Sequence, residues 1–348
     1  MPRYSEEIIQ EVIEANDIVS VISSYVQLKK SGRSFMGRCP FHNERTPSFS
    51  VSPDKQLYHC FGCGAGGNVI SFIMDIENMS FPEALEWLAE RANITLPQKT
   101  EYTDYQYQQK KKFYEINRQL ANYYYVLLKH SSKGQKYIQE RGLDQSTIKT
   151  FGIGYSKDSW DNAIRFLSSN HVSSKEMLQI GLAIQGKNGK LYDRFRDRLM
   201  IPIQNSRDKI IGFGGRVIDK KENTPKYLNS PESTIFSKGT ELFNLNRAKK
   251  NIQNNQFIVV EGYMDVIALY QYGIKNVVAA LGTAFTPNHA KILDRYVSSV
   301  VLCFDGDQAG EKATKRAIDI LKKSDLTIKY RRRSRFIYPE KWDRCFFR

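Results

Sequence analysis

The sequence predicts an α/β and α+β multidomain chain: a small N-terminal ribbon of short strands, a mixed α/β core and a closing parallel sheet. Three observations predict it. The chain has 348 residues, enough for about two domains of ordinary size. Glycines, prolines and short apolar alternations fill residues 27–67, as strands and tight turns require. From Gln256 onward, apolar runs alternate with helical segments, the pattern of strands laid parallel with helices on both faces.

In chain order, Ile8, Ile9, Val12, Ile13, Ile18, Val21 and Ile22 recur at three- and four-residue spacings, predicting two short helices broken near Asn16-Asp17. Phe49-Ser50-Val51-Ser52 and Gln56-Leu57-Tyr58-His59 read as strands. Helices return over residues 69–76 and 81–92, the latter with Ser80 as N-cap and Pro82 at N1. The polar stretch 99–110 reads as a linker after a first domain, 1–98. Helices are expected over 111–128, 134–140 and 173–180, then strands through Arg198–Ile203 and Ile210–Arg216, closing a second region, 111–255. A third, 256–329, contains strands over 257–260, 276–280, 299–304 and 326–329, with helices over 265–272, from Thr286-Pro287, and over 309–323. Residues 330–348 form a basic tail.

Composition excludes several classes. A hydrophobic fraction of 41% rules out wholesale disorder. No apolar run approaches the roughly 18 residues of a membrane span, and the N-terminus lacks a signal-peptide core, so a membrane partner is not expected. Lys+Arg of 52 against Asp+Glu of 37 gives +15, which suits a polyanion such as nucleic acid. Five cysteines without a secretory signal fit a reducing cytosol.

Three constellations carry chemistry. Cys39, His42, Cys60 and Cys63 form C-x2-H and C-x2-C pairs, and each pair can occupy two corners of a tetrahedral Zn²⁺. All four positions are then filled, so the zinc is structural; His59 is a competing ligand or an exposed strand residue. Lys29, Lys30, Arg33, Arg38, Arg45 and Lys55 are interleaved with Phe35, Phe41, Phe49, Tyr58 and Phe61, a composition suited to single-stranded nucleic acid unless the rings pack the ribbon. Glu261 follows one expected strand and Asp305-Gly306-Asp307 another, and acids from separate strand ends converge beyond a parallel sheet. Such acids repel one another unless a divalent cation, here Mg²⁺, neutralises them; Glu261-Gly262-Tyr263-Met264-Asp265 adds a fourth acid. Gly282-Thr283 offers backbone N–H groups to a phosphate. Arg194, Arg196 and Arg198, two apart, would share one face of a strand and grip phosphates, with Arg216, Lys226, Tyr227 and Lys238 further on.

In this order the three constellations resemble bacterial DNA primase of the DnaG type. Cys39–Phe49 with Cys60–Gly64 resembles that family's zinc-binding domain, residues 194–203, 211–216 and 225–231 its polymerase core, and 260–267, 281–283 and 304–310 its TOPRIM (topoisomerase–primase) sheet. The resemblance implies a nucleotidyltransferase, a DNA-directed RNA polymerase synthesising short primers on single-stranded template from ribonucleoside triphosphates, in the bacterial cytoplasm beside a replicative helicase. It assigns zinc to Cys39, His42, Cys60 and Cys63, and catalytic Mg²⁺ to Glu261, Asp305 and Asp307. Asp265 becomes a supporting acid. Arg194, Arg196, Arg198, Arg216, Lys226, Tyr227 and Lys238 become template or nucleotide ligands. The family continues with a further Asp-x-Asp element where this chain reads Tyr330-Arg331-Arg332-Arg333, so the tail is expected to be a frameshift or artefactual product, the alternative being a basic run that contacts nucleic acid. The alternatives are a catalytically incomplete single-strand-binding fragment of a primase, or another zinc-bearing TOPRIM protein.

Overall fold

A computed structural model describes residues 4–42, 44, 46–96, 105–219, 224–282, 284–324 and 326–333. The expected features at Arg45, Thr283, the first half of the linker (99–104) and residues 334–348 lie outside these. The chain divides into two compact units, Met1–Gln109 with Asp294–Tyr296, and Lys110–Leu293 with Val297–Arg348.

The first unit begins with helices α1 (Glu6–Glu14) and α2 (Ile18–Ser23). Asp17 separates them because its carboxylate accepts the Ser20 N–H and caps α2. Strands β1 (Lys29–Ser31), β2 (Ser34–Gly37), β3 (Phe49–Ser52), β4 (Leu57–Cys60) and β5 (Gly66–Gly67) pair in sequence order as an antiparallel meander. Helices α3 (Val69–Glu77) and α4 (Phe81–Arg91) follow, the second starting at a Ser80–Glu83 capping box with proline in its first turn. On β3 and β4 the inward residues Phe49, Val51, Tyr58 and Cys60 are buried, and Phe72 of α3 packs edge-on against Tyr58.

The second unit opens with α5 (Tyr105–Lys129), which starts inside the expected linker, then α6 (Ser132–Glu140) and α7 (Gln145–Phe151). Next come β6 (Gly154–Ser156), α8 (Asn162–Ser169), α9 (Ser174–Gln179), the β7–β8 hairpin (Ala183–Gln185, Leu191–Asp193), β9 (Arg198–Gln204), β10 (Ile210–Val217), β11 (Tyr227–Asn229) and α10 (Leu245–Ala248). An antiparallel sheet runs β11-β10-β9-β6.

The unit closes with β12 (Gln256–Val260), α11 (Tyr263–Gln271), β13 (Val277–Ala279), α12 (Pro287–Tyr296), β14 (Ser299–Asp305), α13 (Gln308–Leu321) and β15 (Thr327–Arg333). These four strands form a parallel sheet ordered β13-β12-β14-β15. Every residue of β12 is buried, as a sheet covered on both faces demands. Strand β15 pairs with β14 as far as Asp305↔Arg333, so residues 330–333, expected to belong to the tail, extend the fourth strand.

Candidate metal and nucleic-acid sites

The ends of β2 and β4 bring the two cysteine pairs together. Donor atoms of Cys39, His42, Cys60 and Cys63 lie within 4.8 Å of one another. The Cys39–Cys63 sulfur separation is 3.7 Å, and Cys60 Sγ lies 3.7 Å from His42 Nδ1. A tetrahedral zinc with bonds of about 2.3 Å has edges of about 3.8 Å, so the donor set fits that ion. Backbone amides of Phe41 and Gly62 donate to the sulfurs of Cys39 and Cys60 at 3.4 and 3.3 Å. Gly62 is required there, since a Cβ would lie 2.5 Å from His42 Nε2. His59 is exposed and rests its ring against Phe61, outside this donor set. Tyr58, Phe49 and Phe41 pack the ribbon, whereas Phe61, just after β4, is 74% exposed; Lys29 and Lys30 on β1 and Lys55 in the β3–β4 turn are exposed elsewhere on the ribbon.

Glu44 was not singled out by sequence reasoning. Its carboxylate accepts the Cys39 and Ser48 amides and the Ser48 hydroxyl, and lies 3.5 Å from His42 Nε2. Burial alone would raise its pKa, but these hydrogen bonds and His42 hold it below the usual carboxylate range. The only advance signal was a glutamate two residues from a ligand.

At the carboxyl ends of the adjacent strands β12 and β14, Glu261 Oε1 accepts the Asp305 N–H at 2.9 Å. Asp307 is the N-cap of α13, accepting the Gly310 N–H at 3.0 Å, and Asp265 lies in the first turn of α11. Burial, then the charges of Asp305, Asp265 and Asp307, push Glu261 above the usual carboxylate range, against the pull of the Asp305 amide. Among the described residues, the cysteine–histidine set is the one group of three or more such donors found as close as 4.8 Å. Gly310 wedges α13 against the cluster: a Cβ there would meet Asp305 O at 2.0 Å and Glu261 Oε1 at 2.6 Å.

The arginine segment differs from expectation. Arg194, Arg196 and Arg198 do not share a strand face, because β8 ends at Asp193, β9 starts at Arg198, and Asp197 between them adopts φ +52°. Two buried aspartates pin this connection. Asp193 accepts the Ala163 and Ile164 amides at the start of α8, while Asp197 accepts Lys133 Nζ at 2.6 Å and the Tyr155 hydroxyl at 3.1 Å. Phe195 is buried between them. Long-range partners thus override the alternating sequence pattern. Arg194 donates to the Asn229 carbonyl, and Arg198, buried, donates to the Gly215 and Pro225 carbonyls. Burial lowers the pKa of both from arginine's usual value. Arg196 donates to the Asp193 carbonyl and lies 4.1 Å over the ring of Trp160, a 65%-exposed residue that sequence reasoning missed.

Arg216 is buried and donates to the Tyr227 hydroxyl at 2.6 Å, and exposed Lys226 lies over the same ring. Lys238 is half-buried, with its backbone held on three sides. Its N–H donates to Glu232, its carbonyl faces His289 Nε2 at 3.0 Å, and Thr286 donates to the next carbonyl, that of Gly239. Because the Thr286 N–H donates to Nδ1, His289 carries its proton on Nε2.

The chain is similar to known proteins in three regions. Residues 4–104 match the CHC2 zinc finger, 123–249 the N-terminal domain of the DNA primase catalytic core, and 258–343 a Toprim-like domain. The structure of the Aquifex aeolicus primase zinc-binding and RNA polymerase domains is 36% identical, covering 97% of this chain and 82% of that one, with a TM-score of 0.63. The chain belongs to the DnaG-type DNA primase family. Within it, the DNA primase of Clostridium acetobutylicum is 49% identical over 93% of this chain and 54% of its own length. That of Escherichia coli K12 is 42% identical, over 89% and 54%. A DnaG primase catalytic domain bound to ssDNA is 35% identical with a TM-score of 0.62, covering 69% of this chain and 79% of that one. The chain spans about half the length of the curated relatives it matches. The Toprim-like match reaches residue 343, across the stretch that the sequence reading set apart as a frameshift tail.

Proposed function

We propose that this chain is a DNA primase, a nucleotidyltransferase that joins ribonucleotides on a single-stranded DNA template in the bacterial cytoplasm. The observation that carries the reading is the pairing of Glu261 with Asp305 across adjacent parallel strand ends, in a chain that also bears a four-donor zinc ribbon. Burial and the neighbouring acids raise the proton affinity of Glu261, and a set of hard carboxylate oxygens suits Mg²⁺, whose retained water ligands tolerate donors spaced more widely than a zinc set. Glu261, Asp305 and Asp307 would hold the ion, with Asp265 as a supporting acid. When bound, the ion would supply positive charge to offset the negative charge that develops on the leaving pyrophosphate.

The protein's own groups do the positioning. Lys226 and Lys238 supply cations for phosphates, and Arg196 with Trp160 adds a cation and an aromatic face for an unpaired base. Arg194, Arg198 and Arg216 were expected to grip template or nucleotide, and their contacts favour a second task, holding the surface in shape. Arg198 ties β10 to Pro225, and Arg216 orients Tyr227. The zinc ribbon, with exposed Phe61 and the exposed lysines Lys29, Lys30 and Lys55, would meet the template at the initiation site. A replicative helicase is the expected partner.

Incorporation of labelled ribonucleotides on single-stranded DNA with Mg²⁺, beside Glu261→Gln, tests the reading. Templated products that vanish in the variant support it. Template binding without products favours the catalytically incomplete single-strand-binding fragment.

A further inference from the structure

The zinc ribbon contains a carboxylate with more to do than close a turn. The two oxygens of Glu44 face different groups. Oε1 accepts the Cys39 N–H at 2.6 Å and the Ser48 N–H at 3.1 Å, fixing the backbone between the ligand pairs. Oε2 faces side chains: the Ser48 hydroxyl donates to it, and His42 Nε2 lies 3.5 Å away. Ser48 Oγ is also 3.2 Å from Cys60 Sγ. On the opposite edge of the ring, His42 Nδ1 lies 3.7 Å from Cys60 Sγ, the edge length of a zinc tetrahedron, while Nε2 faces Gly62 and Glu44.

We propose that Glu44 is the positioning residue of the zinc centre: it holds the Nε2–H of His42, so that Nδ1 is the nitrogen that binds the metal, and through Ser48 it steadies Cys60. An imidazole must present one nitrogen as a lone pair, and the group bonded to the other nitrogen decides which. A carboxylate in that place fixes the tautomer, orients the ring and strengthens it as a ligand; losing such a partner typically costs about 10–100-fold in metal affinity. The inference rests on the zinc reading and needs no catalytic activity.

The competing account is that Glu44 merely accepts two amides. Glu44→Gln separates the two, because the glutamine keeps one carbonyl oxygen for the Cys39 and Ser48 amides while replacing Oε2 with an NH₂ that cannot accept from Nε2–H. The test uses the full chain, with Zn²⁺ affinity measured by competition against a chromophoric chelator and the His42 tautomer read from ¹⁵N-histidine NMR of the zinc-loaded protein. Glu44→Gln is expected to bind zinc about 10–100-fold more weakly than wild type. Wild type should show Nδ1 bound to metal and Nε2 protonated. Ser48→Ala, which leaves the His42–Glu44 pair intact, should lose less affinity. Affinity in Glu44→Gln within threefold of wild type, or metal on Nε2 in wild type, overturns the proposal. Failure of wild type to take up one zinc per chain would instead overturn the zinc reading beneath it.

Discussion

Gly310→Ala is the smallest change that should disrupt the acid cluster. A Cβ at this position would sit 2.0 Å from the Asp305 carbonyl oxygen, 2.8 Å from its carbon and 2.6 Å from Glu261 Oε1. Reaching ordinary contact near 3.4 Å requires a displacement of about 1.4 Å (3.4 − 2.0), and the obstructing atoms are mainly backbone in β14. Two effects oppose each other. Alanine favours the helix α13 by about 1 kcal/mol over glycine, while overpacking against an unyielding partner costs about 1–3 kcal/mol. Strand β14 is hydrogen-bonded on both sides, to β12 and β15, so the overpacking cost should lie in the upper part of that range, about 2–3 kcal/mol, and win by about 1–2 kcal/mol. For a unit of this size that lowers the melting midpoint by about 2–8 °C. Moving Glu261 relative to Asp305 by an ångström should reduce ribonucleotide incorporation about 100-fold. Melting curves and Mn²⁺ titration, with Gly239→Ala as a control whose nearest atom is 4.0 Å away, check the first part without assuming activity. A Gly310→Ala chain with wild-type melting and wild-type Mn²⁺ affinity would refute the argument.

Further expectations concern the polar anchors and the zinc. Asp197→Asn keeps a residue tolerant of positive φ but removes the charge facing Lys133, and should destabilise the fold by about 1–3 kcal/mol in denaturant melts; no change would mean that Lys133 and Tyr155 find other partners. Burial, opposed by hydrogen bonds with Lys238 and Glu241, lowers the pKa of His289 from its ordinary 6.5. Below about pH 6.5 the unfolded chain takes up a proton that folded His289 refuses, so stability falls as pH drops through that value. His289→Gln should flatten the slope between pH 7.5 and 5.5, and an unchanged slope would assign it to other groups. Chelating zinc should loosen the Phe41–Phe49–Tyr58 cluster next to the ligands, seen as loss of near-ultraviolet dichroism that returns with added Zn²⁺. A signal indifferent to zinc would place that cluster's stability wholly in its apolar packing.

Much of the site was legible because its signals are local. Two-residue gaps between Cys39 and His42, and between Cys60 and Cys63, bring ligands onto one turn whatever surrounds them. Glu261 and Asp305 could be placed because an apolar run marks where a buried strand ends. Ser80 and Thr286 announced helix starts through cap chemistry acting within one turn. The helix α7 escaped notice because it is only seven residues long, although Asp144 caps it within one turn; α8 escaped because its first amides are held by the distant Asp193. The arginine stretch misled for the same reason. Its spacing is that of a strand, yet Asp193 and Asp197 bind groups some 30 to 64 residues away, and those bonds bend it.

The sequence by itself determined the order of modules, the zinc donors and the strand ends at which the acids stand, because ligand spacing and hydrophobic period act over a few residues. Only the tertiary structure decided which charges are free to meet a ligand and which are tied to backbone. Arg198 and Arg196 read alike in one dimension, but the first is buried and spent on carbonyls of β10 and Pro225, while the second, though it also donates to the Asp193 carbonyl, stays partly exposed over the exposed ring of Trp160. Glu44, an unremarkable acid in the chain, was brought against His42 by the turn it helps to close. A buried polar group must find its partner wherever the fold supplies one, and that partner's position is a property of the folded chain.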